Sequence, residues 1–288
     1  MAHSALATPR ATIAVLKRHG LATKKSLGQH FLIDDNVIGR ILTLAAIEPT
    51  QRVLEVGPGI GTLTLALCEA AGSVVAVERD TDLLAVLAET TAQYSNLMVI
   101  NADAVQLDPR ELVGEDGPPV AFVANLPYAV AATLVLRVFE TMPSIRSATV
   151  MVQAEVADRM AASPGTKDYG AYTVKLALRA RPAGRFNVPP GCFLPPPRVD
   201  SAVLRLERLD DDRTPEDVAR ATRAADAAFS QRRKTIRNSL SSALGAPASA
   251  VEDALRSAGV EPGLRAETLP VETFVKLGSE LHAQGLLP

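Results

Sequence analysis

At 288 residues, 47% hydrophobic and 4% aromatic, the chain is long enough for one large or two modest domains and apolar enough to give each a core. No apolar run approaches the ~18 residues that span a bilayer, Pro9, Arg10, Lys17 and Arg18 break any leader-like stretch after Met1, and two cysteines (Cys68, Cys192) with four histidines offer neither a disulfide framework nor metal-ligand spacing, so a cytoplasmic protein with no membrane association and no metal is expected. The formal charge of −2 hides a segregation: residues 1–40 carry six Lys/Arg against two Asp/Glu, residues 51–150 five against twelve, and residues 175–237 fourteen against eight, which excludes a uniformly basic nucleic-acid binder yet points to a polyanionic partner.

In chain order, residues 1–23 mix Ala, Thr and basic groups with little periodicity and read as a loosely ordered basic arm with room for one short helix. Short β-branched runs follow at Val53–Val56, Val74–Val77, Leu97–Ile100, Val120–Ala124 and Ala148–Val152, each sized for a buried parallel strand. Helical stretches at Thr62–Ala70, Asp80–Thr90 and Val130–Glu140 lie between them. The alternation predicts an α/β class with a doubly wound sheet over residues 24–208. Dense prolines at Val188-Pro189-Pro190 and Pro195-Pro196-Pro197 predict an extended segment without helix, and Ala202–Leu206 an alternating strand. Residues 209–288 read as a small all-helical C-terminal domain: Thr214-Pro215-Glu216-Asp217 has a cap, a proline and acids in the order a helix start requires. Ser249-Ala250-Val251-Glu252 reads as a capping box and Gly259 as a stop signal.

Glu55-Val56-Gly57-Pro58-Gly59-Ile60-Gly61 joins the first strand to a helix, where an open α/β sheet binds nucleotide-like ligands. The Gly-x-Gly-x-Gly spacing is shorter than the dinucleotide fingerprint, no Gly-Lys-Ser/Thr follows, and Pro58 removes a donor from any pyrophosphate cradle, so a ligand without phosphates is favoured. Glu78 ends the second strand, where a carboxylate accepts both ribose hydroxyls or else caps the next helix, a role open to Asp80. Asp103 follows the third strand and accepts from an exocyclic amine such as adenine N6, or closes a turn. Taken together, these strand ends describe S-adenosylmethionine. After the fourth strand comes Asn125-Leu126-Pro127-Tyr128. The Asn125 side-chain oxygen and the Leu126 carbonyl can hold the two N–H groups of a base amine and aim its lone pair at a sulfonium methyl. Pro127 stiffens the turn and the Tyr128 ring offers a stacking face.

Five ordered motifs carry a resemblance: Lys25–Leu32 (KSLGQHFL), the Glu-Val-Gly-Pro-Gly loop, Asn125–Tyr128, Phe193–Val203 (FLPPPRVDSAV) and Phe229–Thr235 (FSQRRKT). From about residue 15 to its end the chain resembles the ribosomal RNA adenine N6-dimethyltransferase family, in the branch that acts on two adjacent adenosines near the 3′ end of bacterial 16S rRNA. The resemblance implies a Rossmann-like S-adenosylmethionine-dependent methyltransferase domain, a small helical domain for rRNA recognition, 16S rRNA in the small subunit or its precursor as partner, and a monomer. It places Gln29, His30, Leu32, Gly57, Gly59, Glu78, Asp103 and Asn125 at the cofactor, and Asn125, Leu126, Pro127, Tyr128 and Phe193 at the reacting base, with Phe193 either the second stacking partner or an ordinary core aromatic in a proline-rich turn. His30 stands where many members have Asn, and reads either as a cofactor contact or as a surface histidine before a helix. Arg232, Arg233, Lys234 and Arg237 grip RNA phosphates, form a solvated helix face or contact the catalytic domain. The early motifs also suit the large-subunit (23S) dimethyltransferases of macrolide resistance, and the fold alone suits a non-catalytic ribosome assembly factor.

Overall fold

A computed structural model describes residues 3–21, 30–210 and 212–288. The chain divides into two units, Met1–Ala157 with Pro182–Arg208, and Asp158–Arg181 with Leu209–Pro288. It therefore passes between units three times, where the sequence suggests a single cut at residue 209.

The first unit begins with α1 (Pro9–Arg18), capped by the Thr8 side chain, which accepts from the Ala11 N–H. Its Val15 and Leu16, with Leu6, pack against Phe31, Ile60, Leu65, Leu83 and Val86. That apolar face fixes what the sequence suggests is a loosely ordered arm. In chain order follow β1 (Phe31–Leu32), α2 (Asp35–Ala45), β2 (Arg52–Val56), α3 (Thr62–Ala70), β3 (Ser73–Glu78), α4 (Thr81–Thr90), β4 (Leu97–Asn101), β5 (Ala121–Asn125), α5 (Ala131–Thr141), β6 (Ser147–Gln153), α6 (Ala154–Met160), α7 (Ala171–Ala177), β7 (Ala180–Val188), β8 (Phe193–Leu194) and β9 (Ser201–Arg208), of which α7 belongs to the second unit while α6 and β7 straddle its boundaries. Among the described residues, seven strands form one sheet in the order β4-β3-β2-β5-β6-β9-β7. Pairs β3–β4, β2–β3, β2–β5 and β5–β6 run parallel, and β9 closes antiparallel on β6. The chain runs outward from β2 to β4 and returns to the other side of β2 as β5, so β2 and β5 flank the point where strand order reverses and a crevice opens at their carboxyl ends. The proline-rich segment is not wholly extended, since Pro190–Cys192 makes one 3-10 turn before β8, which pairs with β1 by setting Phe193 opposite Leu32.

In the second unit, α8 (Pro215–Ala228) starts as its sequence demands, with Thr214 and Asp217 exchanging capping hydrogen bonds. After it come α9 (Ile236–Leu244), α10 (Ala248–Ser257) and α11 (Val271–Ala283). The capping box read at Ser249 does not form; α10 begins one residue before it, after Pro247, whose φ of −57° already suits a helix start. Gly259 ends the turn beyond α10 at φ +75°. The core is small-residue packing: Ala221, Ala224, Ala225 and Ala228 of α8 meet Phe274, Leu277 and Leu281 of α11, and Tyr169, Val174 and Leu178 from the inserted segment join them. At Gly278 an added Cβ would lie 2.7 Å from the Arg220 carbonyl carbon and 2.8 Å from the Ala221 nitrogen, so α8 and α11 approach backbone to backbone.

Candidate active site

The crevice at the ends of β2, β3, β4 and β5 is a cavity of about 610 Å³, lined among others by His30, Leu32, Glu55, Gly57, Gly59, Thr62, Glu78, Asp103 and Asn125–Tyr128. That volume suits a nucleoside-sized ligand. Gly57 and Gly59 take φ of +72° and +62°, a conformation that side-chain-bearing residues rarely adopt, and at Gly59 a Cβ would also press on the Phe31 ring at 3.3 Å.

Glu78, 6% exposed, accepts from the Gly59 N–H at 3.1 Å and from the Asp80 N–H at 2.7 Å. One carboxylate thus ties the glycine loop to the start of α4, yet the cap of α4 is Asp80, whose side chain accepts from the Asp82 N–H. Burial raises the Glu78 pKa, and the hydrogen bonds it accepts oppose the rise. Asp103 accepts from the Val105 N–H at 3.0 Å and faces the Arg79 guanidinium at 3.4 Å, so it closes a turn and also lines the cavity.

Asn125 ends β5 and donates from Nδ2 to the His30 carbonyl at 3.4 Å. Since a carbonyl only accepts, the amide is oriented and Oδ1 remains its acceptor for whatever enters. The Leu126 N–H donates to the Met151 carbonyl, anchoring the turn to β6. Tyr128 shares a 2.7 Å hydrogen bond between its hydroxyl and that of Ser201, which is fully buried in β9. The His30 ring stacks on the Tyr128 ring, with centroids 5.7 Å apart and planes 25° apart, and its Nδ1 meets the Pro195 carbonyl at 2.7 Å.

Phe193, expected as the second stacking partner, is 2% exposed and packs in the apolar core with Leu32, Ile38 and Cys192, and it is not among the residues lining the cavity. Gln29 lies outside the described residues. Both cysteines are buried: burial pushes the Cys68 thiol up to about 12 and the Cys192 thiol, which donates to Asp34, up to about 11. In the second unit, the sequence expectation of one basic helix start resolves into two kinds of residue. Arg232 reaches the Lys167 carbonyl and the Glu267 carboxylate, and Arg237 pairs with Glu252 at 2.7 Å. Arg233 and Lys234, in the turn before α9, are exposed.

Glu55, Thr62 and Ser201 escaped the sequence reading as individual site residues. Glu55, the penultimate residue of β2, is 1% exposed, and one carboxylate oxygen, like the Thr62 hydroxyl, is buried without a hydrogen-bond partner among the described residues. Burial pushes its carboxyl up to about 8, with the Thr64 hydroxyl opposing and the Glu78 charge adding to the rise. A charged residue inside an otherwise apolar strand run was the available signal.

Sheet order, switch-point cavity and the acidic strand ends define an α/β methyltransferase. The model of the family described as ribosomal RNA adenine dimethylase matches residues 20–282. The chain belongs to that family. It is 42% identical over 280 residues to the ribosomal RNA small subunit methyltransferase A of Lachnoclostridium phytofermentans, covering 94% of this chain and 96% of that one. Of solved structures, a dimethyladenosine transferase from Plasmodium falciparum shares the fold at TM-score 0.76 and 24% identity, over 89% of this chain and 98% of that one. The 23S rRNA methyltransferase ErmE matches at TM-score 0.66 and 31% identity, over 88% of this chain and 99% of that one.

Proposed function

We propose that the chain transfers methyl groups from S-adenosylmethionine to the N6 amines of two adjacent adenosines near the 3′ end of 16S rRNA, in the cytoplasmic small ribosomal subunit or its precursor. The observation that carries the reading is the convergence of four successive strand ends on one cavity: Glu55–Gly59, Glu78, Asp103 and Asn125–Tyr128. The higher identity to a small-subunit enzyme than to ErmE favours the small-subunit substrate over the 23S one.

The residues suit S-adenosylmethionine. The buried, unpartnered Glu55 oxygen and Thr62 hydroxyl await polar groups of a ligand, and the glycine loop admits close approach of its chain. Glu78 would hold the ribose hydroxyls, Asp103 the adenine amine, and Leu32, Gly57 and Gly59 would flank the methionine portion. When bound, the cofactor supplies an electrophilic methyl on a sulfonium. The target adenine has to leave its stack to reach the cavity. Tyr128 receives the ring face, while Asn125 Oδ1 and the Leu126 carbonyl accept the two N–H groups and turn the nitrogen lone pair towards the methyl. No strong base is needed, because the nitrogen sheds its proton to solvent after transfer. Arg233 and Lys234 meet RNA phosphates.

Small subunits from cells lacking the gene, incubated with the chain and S-adenosylmethionine, should acquire two adjacent primer-extension stops near the 3′ end of 16S rRNA, because a dimethylated adenine has no N–H left for pairing. Stops in 23S rRNA instead, or none, would overturn the assignment.

A further inference from the structure

We infer that His30 and Ser201 are positioning residues for the target adenine, holding the Tyr128 ring as a rigid shelf, and that the His30 side chain is not a ligand of the methyl donor. The inference rests on the function proposed above and goes beyond it by separating the acceptor end of the cavity from the cofactor end.

His30 is committed three ways, all towards the acceptor side. Its carbonyl orients the Asn125 amide, its ring lies on Tyr128, and its Nδ1 meets the Pro195 carbonyl. A carbonyl only accepts, so Nδ1 donates to Pro195, and that ring nitrogen is committed to the acceptor side of the cavity. Ser201 acts on the same ring from its far end: a buried hydroxyl at the start of β9 holds the Tyr128 hydroxyl at 2.7 Å. With its face against His30 and its hydroxyl tied to β9, the Tyr128 ring is held at two points, and an aromatic shelf fixed in this way orients a base before any contact with Asn125 forms.

The shelf should matter most for the second methyl transfer. An unmodified amine offers two N–H groups, and both Asn125 Oδ1 and the Leu126 carbonyl can hold it. A monomethylated amine offers one, so the orientation of the base depends more heavily on the ring beneath it. Loosening the shelf should therefore stall the reaction at N6-monomethyladenosine.

The test uses the full chain with His30→Ala, His30→Phe, Ser201→Ala, Tyr128→Phe and the Tyr128→Phe/Ser201→Ala double variant. Cofactor affinity is measured by calorimetry with S-adenosylmethionine alone. Small-subunit methylation is followed by mass spectrometry of the digested 16S rRNA, resolving mono- from dimethyladenosine. His30→Ala and Ser201→Ala should keep cofactor affinity within about twofold while raising the monomethyl fraction about tenfold, with His30→Phe, which restores a ring face, recovering most of the loss. Tyr128→Phe removes the same hydrogen bond without touching the β9 core, and Ser201→Ala should add nothing in that background. Cofactor affinity falling about tenfold, equally in His30→Ala and His30→Phe, would overturn the inference and make His30 a cofactor ligand. An unchanged product ratio, or an equal effect of Ser201→Ala with and without the Tyr128 hydroxyl, would also overturn it while leaving the proposed function intact. A wild-type chain that modifies no small-subunit adenine takes both down together.

Discussion

The two units use charge in opposite ways. The first buries acid: Glu55 and Glu78 are 1% and 6% exposed, and each lines the cavity. The second buries alanine, with Ala221, Ala224 and Ala225 fully enclosed, and leaves Arg233 and Lys234 in solvent. Charge in a dry cavity acts over a few ångströms, depends on protonation and selects one ligand; charge in water acts at longer range, depends on salt and attracts a class of partner. The comparison is sharpened most by breaking the most short-range element. Asn125→Ala should lower methylation of small subunits by at least ~10²-fold, since it removes an acceptor that works only in the reacting geometry. Calorimetric affinity for S-adenosylmethionine should stay within a few-fold, and retention of full activity would sink the proposed geometry.

Next in size is the protonation of Glu55. Its ordinary pKa of 4.5 rises to about 8 on folding. Between those values the folded chain holds a proton that the unfolded chain has released, so stability falls as pH rises through this window and levels off above it. The steepest possible fall from this one group is about 1.4 kcal/mol per pH unit. Glu55→Gln cannot titrate and should remove that slope in denaturant unfolding between pH 5 and pH 8. Because the amide is left short of partners, the variant should be about 1–3 kcal/mol less stable than the parent at the acid end and regain ground towards the alkaline end. A slope the same as the parent's would mean that the acid of the first unit is not as dry as its burial implies.

Much of the first unit was legible because its signals are local. Helix α3 occupies Thr62–Ala70 as the apolar pattern specifies, and each strand lies within a residue or two of its β-branched run, although β4, at the sheet edge, is half-buried to exposed where the run suggests a buried strand. Glu78, Asp103 and Asn125 were legible as strand ends, since a parallel sheet delivers successive strand ends to one edge. What stayed hidden depends on distant partners. Tyr128 meets Ser201 73 residues on, and His30 meets Pro195 165 residues on. Phe193 is in a recognisable motif, but which way its ring turns is decided by pairing with β1. The same holds for residues 158–181, whose membership of the second unit rests on Tyr169, Val174 and Leu178 reaching a core formed a hundred residues later.

The core of the second unit has a corresponding weak point. Gly278 sits mid-helix in α11, where glycine lowers helix stability, and its place there is explained by the 2.7–2.9 Å approach of Arg220 and Ala221 backbone atoms to any added Cβ. Backbone cannot swing aside as a side chain does. Gly278→Ala should therefore lower unfolding stability by about 1–3 kcal/mol despite the better helix propensity of alanine. Unchanged or increased stability in denaturant unfolding would show that α8 and α11 are not in close backbone contact.

The smallest effects should come from the exposed cations, and these test the contrast between the units most directly. Arg232 and Arg237 pair with Glu267 and Glu252, whereas Arg233 and Lys234 are exposed and have no ion pair among the described residues. Removing a phosphate contact weakens binding and lowers the salt slope by about one per contact. Removing an exposed intramolecular ion pair costs ~0–1 kcal/mol of stability and leaves an acid behind. Arg233→Ala and Lys234→Ala should each weaken small-subunit binding several-fold at low salt, with the difference from the parent shrinking as salt rises and kcat on saturating subunits unchanged. Arg237→Ala should change the salt slope less than either, because its guanidinium is already neutralised by Glu252 2.7 Å away. Equal slopes for Arg233→Ala and Arg237→Ala would mean that RNA draws Arg237 off its partner, and that the division between committed and free cations in this unit does not survive binding.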